Sequence, residues 1–123
     1  MSIEKGKLKM HRVVIATDCG HNVNPAISRQ QAESGMIYGL SAALKGAITI
    51  DKGRVQQANF NNYDVVRIDE MPVIESYLIP STEAPGGMGE ASTPGIAPAV
   101  GNAIFAATGK RLRRLPMRNA DLA

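Results

Sequence analysis

The sequence has no tryptophan, one cysteine, two histidines, two phenylalanines and three tyrosines among 123 residues. Each scarcity excludes something. The lone thiol, Cys19, rules out an internal disulfide. It also rules out an iron–sulfur cluster held by this chain, which takes several cysteines. His11 and His21 stand apart, without the spacing of metal ligands. With aromatics at 4%, a core has to come from Ile, Val, Leu, Ala and Met. No apolar run approaches the ~20 residues of a membrane-spanning helix. The opening stretch, MSIEKGKLKMHRV, is charged and lacks the apolar centre of a signal peptide.

What is present suits a globular unit. Hydrophobic residues make up 44% of the chain, an ordinary share for a packed core, and the length suits a single domain over residues 1–123. The net charge is +3 and the pI about 9.2. The excess lies at the two ends, in Lys5, Lys7, Lys9 and Arg12 and in Lys110, Arg111, Arg113, Arg114 and Arg118. Basic clusters can mark nucleic-acid contact. These lack interleaved aromatics and any known binding motif, so they read as solvated ends or a face toward another protein segment.

The pattern predicts an α+β fold, a small mixed sheet with two helices. Leu8 to Asp18 is β-branched and reads as a strand ending at Cys19–Gly20. Asn24–Pro25 offers a cap and a first helical position. From there Met36, Ile37, Leu40, Ala43 and Leu44 recur at helical spacing to about Lys45. Gly35, Gly39 and Ser41 make one face small, suited to close approach of backbone or ligand. AITIDKGRVQQANF reads as a hairpin turning at Asp51–Lys52–Gly53. Residues 71–80 read as a strand, with Pro72 marking an edge or a strand entry. A glycine-rich loop follows, then a helix starting at Pro94 or Pro98, striped by Ile96, Ala97, Val100, Ile104 and Ala107 and closed by Gly109. The tail from Lys110 reads as extended. So short a chain is also expected to leave Ile96, Val100 and Phe105 partly exposed and to associate through them.

The chemistry-bearing candidates are few. PGGMGEAST sets Glu90 behind Gly86, Gly87 and Gly89, where backbone can approach a ligand closely. A carboxylate there could serve as a general base, or be a solvated loop residue. The loop is no phosphate loop, since it lacks the Lys–Ser/Thr ending. Gln31 and Glu33, two apart on the first helix, point to different sides. Gln31 could hydrogen-bond a polar cofactor or simply face water. Asn22 and Asn24 read as turn and cap residues, and Cys19 as a small buried hydrophobe.

Two stretches carry a family resemblance. TDCGHNVNPAISRQQAESGMIYGLSAAL resembles the molybdenum hydroxylase segment in which a strand ends in Asp/Cys–Gly, Val–Asn–Pro follows, and a helix carries Gln–x–Glu. GGMGEASTPGIAPAVGNAIFAATGKRLRRLP is similar to the C-terminal segment of those proteins. The resemblance is to the molybdopterin-binding large subunit of the xanthine oxidase/aldehyde oxidase family, nearest its isoquinoline 1-oxidoreductase β-subunit type. It runs from about Leu8 to Pro116, with Ser34 where a glycine is frequent.

The resemblance implies a fragment, the C-terminal portion of a molybdenum hydroxylase large subunit that acts on an N-heterocycle or an aldehyde. Glu90 falls on the catalytic glutamate, the base toward a molybdenum-bound hydroxyl. Gln31 falls on a glutamine that hydrogen-bonds molybdopterin, and Gly89 lies where backbone runs near the metal's ligands. No residue of this chain is implied as a metal ligand. The cofactor, as molybdenum cytosine dinucleotide, belongs to the full enzyme and not to this chain alone. The implied partners are the remainder of the large subunit, an iron–sulfur small subunit that takes the electrons, a small-molecule substrate and a possible second copy of the chain. Neither nucleic acid nor a membrane span is implied. The compartment stays open between bacterial cytoplasm and periplasm. The alternative is a truncated, non-catalytic domain that folds or oligomerises without cofactor.

Overall fold

A computed structural model describes residues 1–122. The elements, in chain order, are β1 (Ser2–Glu4), β2 (Lys7–Lys9), β3 (Arg12–Thr17), α1 (Pro25–Leu44), β4 (Ile50–Asp51), β5 (Arg54–Val55), β6 (Val73–Leu78) and α2 (Thr93–Thr108). The class is α+β. The strands form three two-stranded ladders: β1–β2 and β4–β5 antiparallel, β3–β6 parallel.

The strand expected over 8–18 is two strands. Lys5 and Gly6 take positive φ (52° and 73°) and fold β2 back on β1. β3 then begins afresh at Arg12 and pairs with β6, from Arg12 opposite Val73 to Thr17 opposite Leu78. The two strands are bridged near the start of the ladder by Arg12, whose guanidinium donates to Glu75 at 2.5 and 2.7 Å.

α1 starts where capping chemistry places it. The Asn24 Oδ1 accepts from the Ile27 N–H at 3.2 Å and Pro25 follows, so one of the orphan donors of the first turn is satisfied. α2 starts at Thr93, with Pro94 in its first turn and Pro98 inside the helix. Pro98 has no N–H to give to the carbonyl four residues earlier. Gly109, φ 73°, ends the helix, where glycine accepts the left-handed conformation.

The core forms between α1 and α2. Met36, Leu40, Ile96, Val100 and Ile104 are buried in it, joined by Met117 and Leu122. Ile96 and Val100 are 5% and 1% exposed, so the expectation that they face outward is overturned: the stripe of α2 is consumed by α1. Phe105, at 40%, stays open, with Arg111 stacked 3.8 Å over its ring. Ala107, expected in the same stripe, is exposed. The tail is not extended throughout. After Pro116 it packs back, with the Met117 N–H bonded to the Ala43 carbonyl at 2.8 Å and Met117 and Leu122 under the core. Each such apolar side chain contributes roughly 1.5–3 kcal/mol by leaving water.

The helices approach closely because α1 is bare where α2 begins. A Cβ on Gly39 would lie 2.3 Å from the Thr93 carbonyl oxygen and 2.6 Å from Ile96 Cγ2. One contact is backbone, so the helices would have to separate. Gly39→Ala is therefore expected to destabilise the chain by about 1–3 kcal/mol, read from the midpoint of a urea titration.

The excursion between the helices is tethered at the end of α1. Lys45 Nζ donates to both Glu70 oxygens, at 2.8 and 2.5 Å, and lies 3.4 Å from Asp64. Burial pushes the ammonium down, but the bond and charge of Glu70 prevail and raise it. The Lys45 bond in turn holds the Glu70 carboxyl below its ordinary value, against burial and with help from the Arg67 N–H. A depressed carboxyl stabilises the fold above the unfolded-state value, and the contribution is lost as pH falls through the folded one. Chain stability should thus drop as pH is lowered below about 4.5, and Glu70→Gln should flatten that part of the profile. With the Glu70 side chain 42% exposed, the difference should stay under about 1 kcal/mol in urea titrations across this range.

Candidate functional site

Two loops meet beside the start of α1. The first, Asp18 to Asn24, leaves the end of β3. The second, Pro80 to Ser92, leaves the end of β6. Because β3 and β6 are parallel, both loops emerge at the same edge of the ladder. They are stitched together by backbone: the His21 N–H bonds to the Glu83 carbonyl at 2.8 Å and the Gly86 N–H to the Cys19 carbonyl at 2.9 Å. Gly20, φ 71°, sits at the seam, where a Cβ would stand 2.1 Å from the Ala84 oxygen. Only glycine fits both the conformation and the gap. Cys19 is buried here, 7% exposed, with Asn22 Nδ2 3.6 Å from its sulfur. Asn22 also accepts from Ser28 Oγ at 3.1 Å. These residues build the turn, as their types suggested.

The second loop carries Gly89 and Glu90, and the fold brings them to Gln31 on α1. Gln31 Nε2 donates to the Gly89 carbonyl at 2.5 Å, next to Glu90. The Gln31 carboxamide therefore spends one hydrogen on the loop. Its other hydrogen and its oxygen stay available to something else. Glu90 is exposed. Its backbone oxygen accepts from the Thr93 N–H at 2.9 Å, while its carboxylate has no hydrogen-bond or ion-pair partner among the described residues. Gly89 is exposed, and a Cβ on Gly87 or Gly89 would meet nothing within 4 Å.

Backbone donors collect at the same place. Among the described residues, the N–H groups of Gly87, Met88, Gly89, Glu90 and Ala91 have no acceptor. Gly87, Gly89, Glu90 and Ala91 are exposed and Met88 is half-buried, so these groups are open to water or to a ligand. A run of them in an open glycine loop, joined by a half-used carboxamide, suits a polar, anionic cofactor with many acceptor oxygens. Among the described residues no three His, Cys, Asp or Glu side chains gather closely enough to hold a metal. The walls of a closed pocket are absent from these loops.

Comparison with known proteins identifies the family. The molybdopterin cofactor-binding domain model matches residues 1–72. The chain belongs to the molybdopterin cofactor-binding domain family. Gln31 lies within the matched span, and Gly89 and Glu90 beyond it. Over 117 residues the chain is 38% identical to the membrane-bound aldehyde dehydrogenase [pyrroloquinoline-quinone] of Gluconacetobacter polyoxogenes, covering 95% of this chain and 15% of that one. It is 39% identical over 113 residues to isoquinoline 1-oxidoreductase subunit beta of Brevundimonas diminuta, covering 92% and 14%. Its fold superimposes on reconstituted CO dehydrogenase from Oligotropha carboxidovorans with a TM-score of 0.82 at 25% identity, covering 98% of this chain and 16% of that one. The chain thus spans about one seventh of the length of its curated relatives.

Within this domain family member, no helix among the described residues is long and apolar enough to cross a membrane. The basic tail is partly occupied within the fold, Arg111 donating to Asn102 Oδ1 at 2.8 Å while stacking on Phe105. Sequence reasoning overlooked Ser92 and Thr93. Their hydroxyls donate to the Ala32 and Gly35 carbonyls of α1, at 2.5 and 3.1 Å. A serine and a threonine ahead of a helix signal only a cap, and nothing in the chain order announces a bond to a helix some sixty residues earlier. Because Glu90 bonds nothing through its carboxylate, Glu90→Gln should shift the unfolding midpoint by less than about 0.5 kcal/mol, measured by urea denaturation of the chain.

Proposed function

We propose that this chain is the C-terminal portion of the large subunit of a molybdenum-dependent oxidoreductase, and that Glu90 is the base of its reaction. The observation that carries the reading is the pairing of a free carboxylate with a tethered loop. Glu90 bonds no other side chain, and the residue before it is tied to Gln31. A glutamate kept for a reacting proton needs a defined backbone and an uncommitted carboxylate.

In this reading the unpaired N–H groups of the loop, from Gly87 to Ala91, and the remaining polar groups of Gln31 hold the cofactor, in its molybdenum cytosine dinucleotide form. When bound, that group supplies a redox-active molybdenum that accepts the electrons removed from the substrate. Glu90 receives a proton at a carboxylate oxygen and returns it to solvent after turnover. Gly87 and Gly89 leave room for the cofactor beside the backbone. The remainder of the subunit supplies the walls that exclude water, because the loop is exposed on this chain, and this chain alone retains no cofactor. The substrate is an N-heterocycle or an aldehyde, in keeping with the names of the relatives. An iron–sulfur subunit carries the electrons away. One relative's name cites pyrroloquinoline quinone, but the domain family is defined by molybdopterin, and the reading follows the domain.

The test is Glu90→Gln in the full enzyme. Glutamine keeps the shape and cannot take the proton. The variant should fold, keep its molybdenum by elemental analysis, and lose at least about 10²-fold in turnover. A fully metallated variant with the parent rate would sink the proposal and favour a non-catalytic domain.

A further inference from the structure

The geometry points to Gln31 and Ser92 as positioning residues that strap the Glu90 loop to α1 from both sides. This rests on Glu90 as the base for its catalytic meaning, while the strap itself is a feature of the fold. Gln31 holds the carbonyl of Gly89, one residue before Glu90. Ser92, two residues after it, holds the carbonyl of Ala32 at 2.5 Å, and Thr93 adds a bond to the Gly35 carbonyl at 3.1 Å. All three anchor points fall within about one turn of α1, which runs through them as regular helix.

The use of Ser92 is unusual for its place. It is the residue ahead of α2, where a serine hydroxyl ordinarily accepts from the helix's own N–H groups. Here it makes no cap bond, and its backbone is already helical, φ −90° and ψ −14°. The hydroxyl crosses to a carbonyl that has a second lone pair to offer. Gly35 makes the crossing possible, since a Cβ there would stand 2.7 Å from Ser92 Oγ and 3.1 Å from Thr93 Oγ1.

The consequence concerns placement. The Glu90 carboxylate has no partner among the described residues, and the one backbone bond of Glu90, from the Thr93 N–H, is local, so without anchors outside the loop the side chain would be free to drift. A catalytic group displaced by about 1 Å can lose much of its effect. Clamping the backbone on each side localises the carboxylate while leaving it without a partner that would compete for the proton.

The test is proteolysis of the full chain by a glutamate-specific endoprotease, comparing cleavage after Glu90 with cleavage after Glu4 in the N-terminal hairpin. Gln31→Met keeps the side-chain length and removes the donor. Ser92→Ala removes the hydroxyl, and Ser92→Thr retains it. Cleavage after Glu90 should rise about fivefold in the first two, the factor expected for one lost hydrogen bond, and stay at the wild-type rate in the third. In the full enzyme, Ser92→Ala should lower kcat with KM and molybdenum content unchanged. Wild-type cleavage after Glu90 in both Gln31→Met and Ser92→Ala would overturn the strap. Gln31 is exposed, so its variant carries the test should Ser92→Ala not fold. If cleavage rises as expected while Glu90→Gln enzyme keeps its rate, the strap stands and the assignment of the base fails.

Discussion

The approach of α1 to α2 across Gly35 and Gly39 is the contact on which the remainder of this domain rests. Two missing side chains let the start of α2 lie against the middle of α1, close enough for the hydroxyls of Ser92 and Thr93 to reach helix carbonyls. The same approach seals Met36 and Leu40 against Ile96, Val100 and Ile104. Packing and site are therefore one arrangement. The loop that carries Glu90 is short on internal bonds, and it inherits its position from the helix pair beneath it. Because interiors are close-packed, a methyl group added at that contact would be felt at the loop as well as in the core.

The ladder of β3 and β6 contributes differently. Being parallel, it delivers two loops to the same edge, and backbone bonds at Cys19, His21, Glu83 and Gly86 join them. Two strands make a poor sheet alone, and several large apolar residues stay open, among them Val14 at 50%, Val73 at 65% and Tyr77 at 54%. That openness accords with a chain that spans about one seventh of its relatives' length. The apolar surface lies on the ladder, on the loops between the helices and on α1 at Ile27 and Tyr38; on α2 Phe105 is open as expected, while Ile96 and Val100 are not.

Local chemistry made much of this legible in advance. Asn24–Pro25 marked the start of α1 and Gly109 the end of α2, because caps and breakers act within one turn. The period of Met36, Leu40 and Ala43 pointed to the buried face, since helical geometry repeats every few residues. The hairpin at Lys52–Gly53 followed from turn preferences. The N-terminal hairpin escaped notice because Lys5 takes a left-handed conformation that lysine rarely favours. The return of Met117 and Leu122 to the core escaped because the apolar residues of the basic tail, Leu112, Leu115, Met117 and Leu122, recur at no helical or strand period.

The sequence by itself determined the two helices, the class of the fold and the family, along with the glycine loop that bears Glu90. Each of these depends on residues close together in the chain or on a motif carried in order. Only the tertiary structure decided that Gln31 spends a hydrogen on Gly89, that Ser92 reaches α1 in place of capping α2, and that the carboxylate of Glu90 has no partner among the described residues. Those facts depend on which groups come within hydrogen-bond distance across some sixty residues of intervening chain. That proximity is set by helix packing at Gly35 and Gly39, whose spacing marked a face suited to close approach but not which element would lie against it.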